Sequence, residues 1–415
     1  MTTSSPLAQT DPWQLPLASL DPSHPDLYQY ELHGPWFARL RRESPVHHTA
    51  DSPFGPFWSI TRHADIAQVE LNHEVFSNSP AIVLGDPPAD FAPPMFIQMD
   101  PPRHSEERAA VLPAVSAARM KELEVLIRGR VGAILDGLPV GETFNWVDHV
   151  SRELTTQMLA TLFDFPWEDR HLLPFWSDAT TTTDLVGADT DEDERRRVLG
   201  ECLAYFARLW QERASATEPR FDFISLLAHN PKTRDMINDP MELLGNLMLL
   251  IVGGNDTTRN SISGGVLAMH RHPGQMEALR ADRSLIPNAV SEIIRWQTPV
   301  AHMRRTAKRD FSFQGQDIRA GDKVVMWYAS ANRDEAVFED AGRFDITRRN
   351  AREHLSFGHG IHRCLGSRVA EMQLRILWDE ILNRYARIEV VGEPQRFQSN
   401  FLQGYTELMV NVVPL

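Results

Sequence analysis

The sequence predicts a mainly α-helical single domain with small β-sheets, an α+β arrangement in which helices form the body. Three observations lead there. Helical periodicity dominates from about residue 103 to about 295. Strand-like pieces are short and scattered, at 57–61, 311–313, 323–328 and within 400–413. No Gly/Ser-rich linker separates two cores and no repeat recurs, although 415 residues would permit two or three domains on length alone. A composition 42% hydrophobic, with 10 Trp and 20 Phe, supplies a large core.

Charge and cysteine usage exclude several classes. A net charge of −14 argues against nucleic acid as a partner and against docking on anionic membranes. The two cysteines, Cys202 and Cys364, lie far apart and give no disulfide framework, as expected in a reducing cytosol. The start, Met1-Thr-Thr-Ser-Ser-Pro6, has neither a basic nor an apolar leader segment. The longest apolar run, 247–252, is far below the roughly 18–20 residues of a membrane span. The chain is expected to be cytoplasmic, without a stable membrane anchor.

Taken in order, residues 1–33 are rich in Pro, Ser, Thr and Asp and read as an irregular arm ahead of a domain at 34–415. A short helix is expected at 34–42 and a strand at 57–61. The proline-rich stretch 79–102 reads as a long functional loop. An acidic run at 189–194 opens a helix over 193–213, where carboxylates at a helix start are satisfied by the macrodipole and need no metal. Asn238-Asp239-Pro240 is a cap-then-proline helix start, and His272-Pro273 is the next clear stop. An unbroken helix between them would be roughly 50 Å long at 1.5 Å per residue.

The middle of that helix reads Val252-Gly-Gly-Asn-Asp-Thr-Thr258. Two adjacent glycines should cost the helix about 1 kcal/mol each relative to alanine. Two reasons for such a weak point stand level on these residues alone. The glycines could let another helix pack closely, with threonine bonding back to helix carbonyls. Alternatively, they could leave room for a cofactor and a small ligand. Leu249, Val252, Gly253, Asp256 and Thr257 recur at i, i+3, i+4 and are expected on one face, so an acid and a hydroxyl would look into the same space as the glycines.

The most informative stretch is Ser356-Phe-Gly-His-Gly-Ile-His-Arg-Cys-Leu-Gly366. Its glycines suit a tight loop whose N–H groups converge on a sulfur while a flat group lies against it. Residues 365–384 then read as an amphipathic helix, with Val369, Met372, Ile376, Leu377 and Ile381 at helical spacing. The sulfur of Cys364 would sit at that helix N-terminus, which favours its ionised form.

The pattern Phe357-Gly358-x-Gly-x-His362-x-Cys364-x-Gly resembles the haem-binding loop of the cytochromes P450, enzymes that hold iron through a cysteine thiolate. The resemblance runs from about Trp58 to the carboxyl end and implies the P450 fold, with haem b ligated by Cys364 and the loop residues Phe357 and Gly358 beside it. Gly253-Gly-Asn-Asp-Thr-Thr258 resembles the family's oxygen-activating motif. This would make Gly253 the site of close approach and Asp256 and Thr257 the residues that manage protons. His104 and Arg108 in Asp100-Pro-Pro-Arg-His-Ser-Glu-Glu-Arg108, Arg305 in Arg304-Arg-Thr-Ala307, and His362 match the family's partners of the haem propionates. Glu292 and Arg295 match its Glu-x-x-Arg pair. Arg343 in Gly342-Arg-Phe-Asp345 is expected to join them, with Gly342 where an acidic residue is usual.

The resemblance implies a monooxygenase that uses O2 and an apolar small-molecule substrate. No Gly-x-Gly-x-x-Gly stands at a strand-to-helix junction, so the electrons must come from another protein. Similarity to bacterial members implies a ferredoxin with its reductase, and Arg363, Arg368 and Arg375 could offer them a basic patch. The stretches 247–260, 294–307 and 360–366 are similar to those of the terminal (omega) hydroxylases of alkanes and fatty acids. A terpenoid or steroid hydroxylase is the alternative, and a non-catalytic haem-thiolate sensor or electron carrier a lesser one. Leu249, Val252, Gly253, Ala301 and Phe401 are the candidate substrate walls, with 79–102 and 180–195 as an outer gate.

Overall fold

A single helix, Pro240–Arg271, organises the molecule. The computed structural model describes residues 5–183, 186–188, 191–218 and 220–415. Asp239 caps the helix by accepting from the N–H groups of Met241 and Glu242, each at 3.1 Å, and Pro240 fills the first turn. It ends at His272, before Pro273. Its 32 residues span about 48 Å. Most of them are buried all round, as befits a helix at the centre of a core rather than on its surface. The helices Glu153–Leu162, Leu172–Thr181 and Ile286–Gln297 pack directly against it. Behind them Ala117–Asp136 packs on Ser367–Arg384, the helix that follows the cysteine loop.

The expected helix at 193–213 forms as Glu192–Ala214. Asp191 caps it, and the first-turn acids pair along the helix with Arg195, Arg196 and Arg197. Asp189, the first residue of the acidic run, lies outside the described residues.

Strands gather into small sheets. The largest has the spatial order Val46–Thr49, Phe57–Ile60, Lys323–Trp327, His302–Ala307, Phe76–Ser77. Its one parallel pair sets Trp58 opposite Val324 and Ile60 opposite Met326. A second sheet joins Phe144–Asn145, Met409–Pro414 and Tyr385–Val390, and two further strand pairs complete the set. No helix among the described residues is long and apolar enough to cross a membrane.

Residues 5–33 are more ordered than an arm lying on the surface. They form turns of 3-10 helix at Pro6–Gln9 and Leu17–Ser19 and a short helix at Asp26–Gln29. Leu20, Leu27 and Tyr28 are buried with Trp36, Phe37 and Trp327. Arg39 donates to the carbonyl of Leu15 at 2.7 Å and to that of Pro12, and Asn400 donates to Ser23 O at 2.8 Å. The polar composition of the segment hides three apolar anchors, and they decide its course.

The Glu292–Arg295 pair forms as expected, fully buried, with both carboxylate oxygens accepting at 2.7 Å. The third member is not Arg343 but Arg348, whose guanidinium lies 3.2 Å from Glu292. Arg343 is exposed and contributes only its carbonyl, which accepts from Arg295 at 3.1 Å and Arg348 at 2.8 Å. The chain turns at Asp345–Arg348, where Asp345 N–H donates to Glu292 at 2.9 Å, and this turn brings Arg348 inward while Arg343 stays outside.

Candidate active site

The cysteine loop is built on close approach. Gly358 and Gly360 both adopt φ of +67°, which side-chain-bearing residues rarely do. A Cβ on Gly360 would lie 2.6 Å from the carbonyl oxygen of Glu70, so the loop rests directly on the end of helix His63–Leu71. Cys364 N–H donates to Phe357 O at 2.7 Å and closes the turn. The sulfur faces a cavity of about 350 Å³ and is met by the N–H groups of Gly366 and Ser367. Burial nevertheless pushes the Cys364 thiol up, outweighing those donors and the nearby Arg108 and Arg363. The helix N-terminus alone therefore does not ionise the sulfur as the sequence suggested; a bound cation would.

The central helix forms the opposite wall and separates the two readings of its glycines. Gly254 also borders the cavity, but a Cβ on it would point at helix Glu153–Leu162, 2.6 Å from Leu159 Cδ2, so its lack of a side chain serves helix packing. A Cβ on Gly253 would meet nothing within 4 Å, and Gly253 lines the cavity with Leu249, Val252 and Thr257. Thr257 Oγ1 donates to Gly253 O at 3.1 Å, a bond back to the helix carbonyls that leaves the hydroxyl on the cavity side.

Asp256 does not share that face. It is fully buried and turned toward helix Leu172–Thr181, where its carboxylate accepts from Ser177 Oγ at 3.1 Å and pairs with Arg259 at 2.7 Å. Arg259 in turn donates to Asp178 at 3.0 Å, and Asp178, 39% exposed at its side chain, lies 3.4 Å from Arg152. Burial pushes the Asp256 carboxyl up, opposed by Arg259. Helical spacing placed Asp256 on the cavity face with Thr257; Arg259, one turn on, and Ser177 instead draw its carboxylate away from the cavity. Thr257 thus looks into the cavity while Asp256 connects, through Arg259, to a carboxylate open to water.

The predicted walls Leu249, Val252 and Phe401 line the cavity. Ala301 does not. It is fully buried on the other side among Leu20, Trp36 and Trp327, its N–H donating to Phe401 O at 2.7 Å. Along extended backbone neighbouring side chains point opposite ways, so Val300, one residue earlier, takes the cavity position. Both stretches expected at the gate add walls, among them Phe91 and Met95 from the proline-rich loop and Thr180, Glu192 and Arg195 from the other. Residues 184, 185, 189 and 190 of the latter lie outside the described residues.

Also lining the cavity, the rings of His104 and His362 meet at a centroid distance of 4.1 Å, tilted by 49°. Neither ring nitrogen of either residue has a partner, although all four are buried. Burial, then nearby Arg108, holds His104 down at about 4, and burial, then nearby Arg305, holds His362 at about 2. Both are neutral donors at pH 7, so positive charge here comes from the arginines. Arg108 donates to Arg363 O at 2.5 Å and pairs with no carboxylate among the described residues. Arg305 donates to Glu70 at 2.6 Å, and Tyr328 OH donates to the other oxygen of Glu70. Orphaned imidazole nitrogens and an uncompensated guanidinium, beside an apolar slot with a thiol in its wall, fit a flat apolar group with carboxylate arms. Haem b is such a group. Sequence reasoning does not find Glu70; its one signal is a charge on the same helix stripe as the buried Ile66 and Val69.

The family model described as Cytochrome P450 matches residues 140–410. The chain belongs to the cytochrome P450 family. A solved structure, cytochrome P450-153 from Novosphingobium aromaticivorans, is 48% identical, with 95% of this P450 and 99% of that chain covered and a TM-score of 0.89. Linalool 8-monooxygenase of Pseudomonas putida is 38% identical over 95% of this P450 and 99% of its own length. Methyl-branched lipid omega-hydroxylase of Mycobacterium tuberculosis (strain ATCC 25618 / H37Rv) is 31% identical over 97% and 96%. This P450 is a haem b monooxygenase that uses O2 and an external electron donor.

Proposed function

We propose that this P450 hydroxylates the terminal carbon of medium-chain alkanes or fatty acids, with electrons from a ferredoxin and its reductase. One observation carries the reading: between Thr257 and the outer segments, the cavity is walled by Leu249, Val252, Val300, Met303, Phe401 and Leu402. These six are all apolar, while the charged Glu192 and Arg195 come from the outer segment, so the part of a substrate held among the six is apolar. The relative named methyl-branched lipid omega-hydroxylase supports a chain end as that part.

In this reading Cys364 would hold the iron, with Phe357, Gly358 and Gly253 lining the same site, and His104, Arg108, Arg305 and His362 would hold the haem carboxylates. Thiolate-ligated haem, when bound, supplies dioxygen activation and insertion of one oxygen atom into a C–H bond. The protein governs protons and position. Thr257 holds a proton donor at the cavity wall, and Asp256 takes up and releases protons at its carboxylate oxygens, while Arg259, paired also with Asp178, holds that carboxylate in place. A terminal C–H is stronger than its neighbours, so reaction there needs a wall that admits the chain end-on. Arg363, Arg368 and Arg375 are exposed and could receive an acidic electron donor.

The 38% identity to linalool 8-monooxygenase favours a second reading, a terpenoid or steroid substrate. Product profiles from octane and a medium-chain fatty acid, with a surrogate ferredoxin and reductase, separate the two. Mainly primary alcohol supports terminal hydroxylation. Mainly secondary alcohols, or turnover of branched or polycyclic terpenoids alone, moves the enzyme to the alternative.

A further inference from the structure

Glu70 is a carboxylate where a carboxylate is costly. It lies on the inward stripe of helix His63–Leu71 with Ile66 and Val69, and its side chain is 1% exposed. Taking a charge that far from water costs several kcal/mol unless partners replace the lost solvation. Its partners are Arg305, donating at 2.6 Å, and the hydroxyl of Tyr328. All three residues line the same cavity as Cys364. The cysteine loop sits on the same spot: a Cβ on Gly358 would be 3.4 Å from Glu70 Oε1. One carboxylate thus joins the strand bearing Arg305, the turn bearing Tyr328 and the loop bearing the sulfur.

The charges around the cradle do not balance those of the cofactor. Of the arginines lining the cavity, Arg108 and Arg305 bring two positive charges, and Glu70, paired with Arg305, cancels one. The two carboxylate arms of haem would therefore meet a cradle one positive charge short of neutralising them. A folding ion pair would do as well on any other face of the molecule; here its cation is one of the two that face the cofactor. We propose that Glu70 is a cofactor-positioning residue: it fixes the direction in which Arg305 meets a haem carboxylate, and its charge keeps the iron harder to reduce. The proposal rests on the assignment of Arg305 to the haem carboxylates.

The test uses the holoenzyme with two readouts other than turnover: the midpoint potential of the haem and the rate of haem transfer to apomyoglobin. Glu70→Gln keeps the shape and removes the charge. It should move the potential positive and, because the charge-assisted bond that aims Arg305 becomes a neutral one, speed haem loss by up to about tenfold despite the positive charge it frees. Glu70→Asp keeps the charge and withdraws it from Arg305, so haem loss should rise while the potential stays put. Should Glu70→Gln yield no folded holoprotein, the Asp variant decides, and haem loss at the wild-type rate overturns the proposal. Wild-type potential and wild-type haem loss in Glu70→Gln would also overturn it, provided Arg305→Leu loses haem faster. If Arg305→Leu retains haem like the wild type, the assignment of the cradle itself fails.

Discussion

Adding one methyl group to each of the paired glycines of the central helix should have opposite effects. Gly253 and Gly254 are equivalent in sequence and differ only in what they face. Alanine in a helix interior is favoured over glycine by about 0.8–1 kcal/mol. At Gly253 no protein atom lies within 4 Å of the new Cβ, so in the haem-free protein Gly253→Ala should keep that gain and stabilise it by about 1 kcal/mol. At Gly254 the Cβ would stand 2.6 Å from Leu159 Cδ2, well inside the 3.5–4.0 Å of a carbon contact, and Leu159 is fully buried and cannot swing into solvent. Overpacking typically costs 1–3 kcal/mol, so Gly254→Ala should come out about 0–2 kcal/mol less stable after the helix gain. Urea unfolding followed by far-UV circular dichroism on both variants measures the difference. The functional expectation divides the same way. The methyl at 253 narrows the cavity beside Thr257 and should change the ratio of terminal to subterminal alcohol, whereas that at 254 should leave the ratio alone. Equal shifts in midpoint, or a product ratio moved only by Gly254→Ala, would refute the division of roles.

Cys364→His should abolish the strongly red-shifted Soret band that thiolate-ligated haem gives when reduced under carbon monoxide; a variant that keeps the band has its ligand elsewhere. Thr257→Ala should bind substrate as before but divert reducing equivalents to hydrogen peroxide, read as the ratio of peroxide to product, while Asp256→Asn should slow turnover by breaking its ion pair with Arg259. Arg348→Ala should destabilise by about 3–5 kcal/mol or prevent folding, because it strips the buried Glu292 of a partner, whereas Arg343→Ala at the exposed position should stay within about 0.5 kcal/mol in urea unfolding. His302 is fully buried and held down at about 4 by burial, against 6.5 for a free histidine. Between those pH values the unfolded chain takes up a proton that the native one refuses. Its contribution is therefore intact above about pH 6.5 and is lost as the pH falls toward 4, by up to about 3 kcal/mol. Replacing His302 by Asn should flatten that part of the acid-unfolding profile.

What the sequence determined by itself were the features written in consecutive residues. The cap and proline at 239–240, the stop at 272–273 and the glycine-bracketed Cys364 are local, and local chemistry settles them: a side chain accepting two N–H groups, a ring without a donor, a backbone at positive φ. The helical body and the short scattered strands followed from periodicity in the same way. Tertiary structure decided matters where neighbours distant in sequence compete for one side chain. Spacing allowed Asp256 onto the cavity face, and Ser177, 79 residues away, together with Arg259 drew it off. Arg343 and Arg348 stand equally near in sequence, and the turn at Asp345 chose between them by carrying one inward. Ala301 and Val300 differ by one step of extended chain, so the face each takes depends on which side the buried Leu20 and Trp36 occupy. Glu70 belongs to no local pattern, because its meaning lies in Arg305 and Tyr328, 235 and 258 residues along the chain, and only the folded molecule brings the two charges and the hydroxyl into one wall.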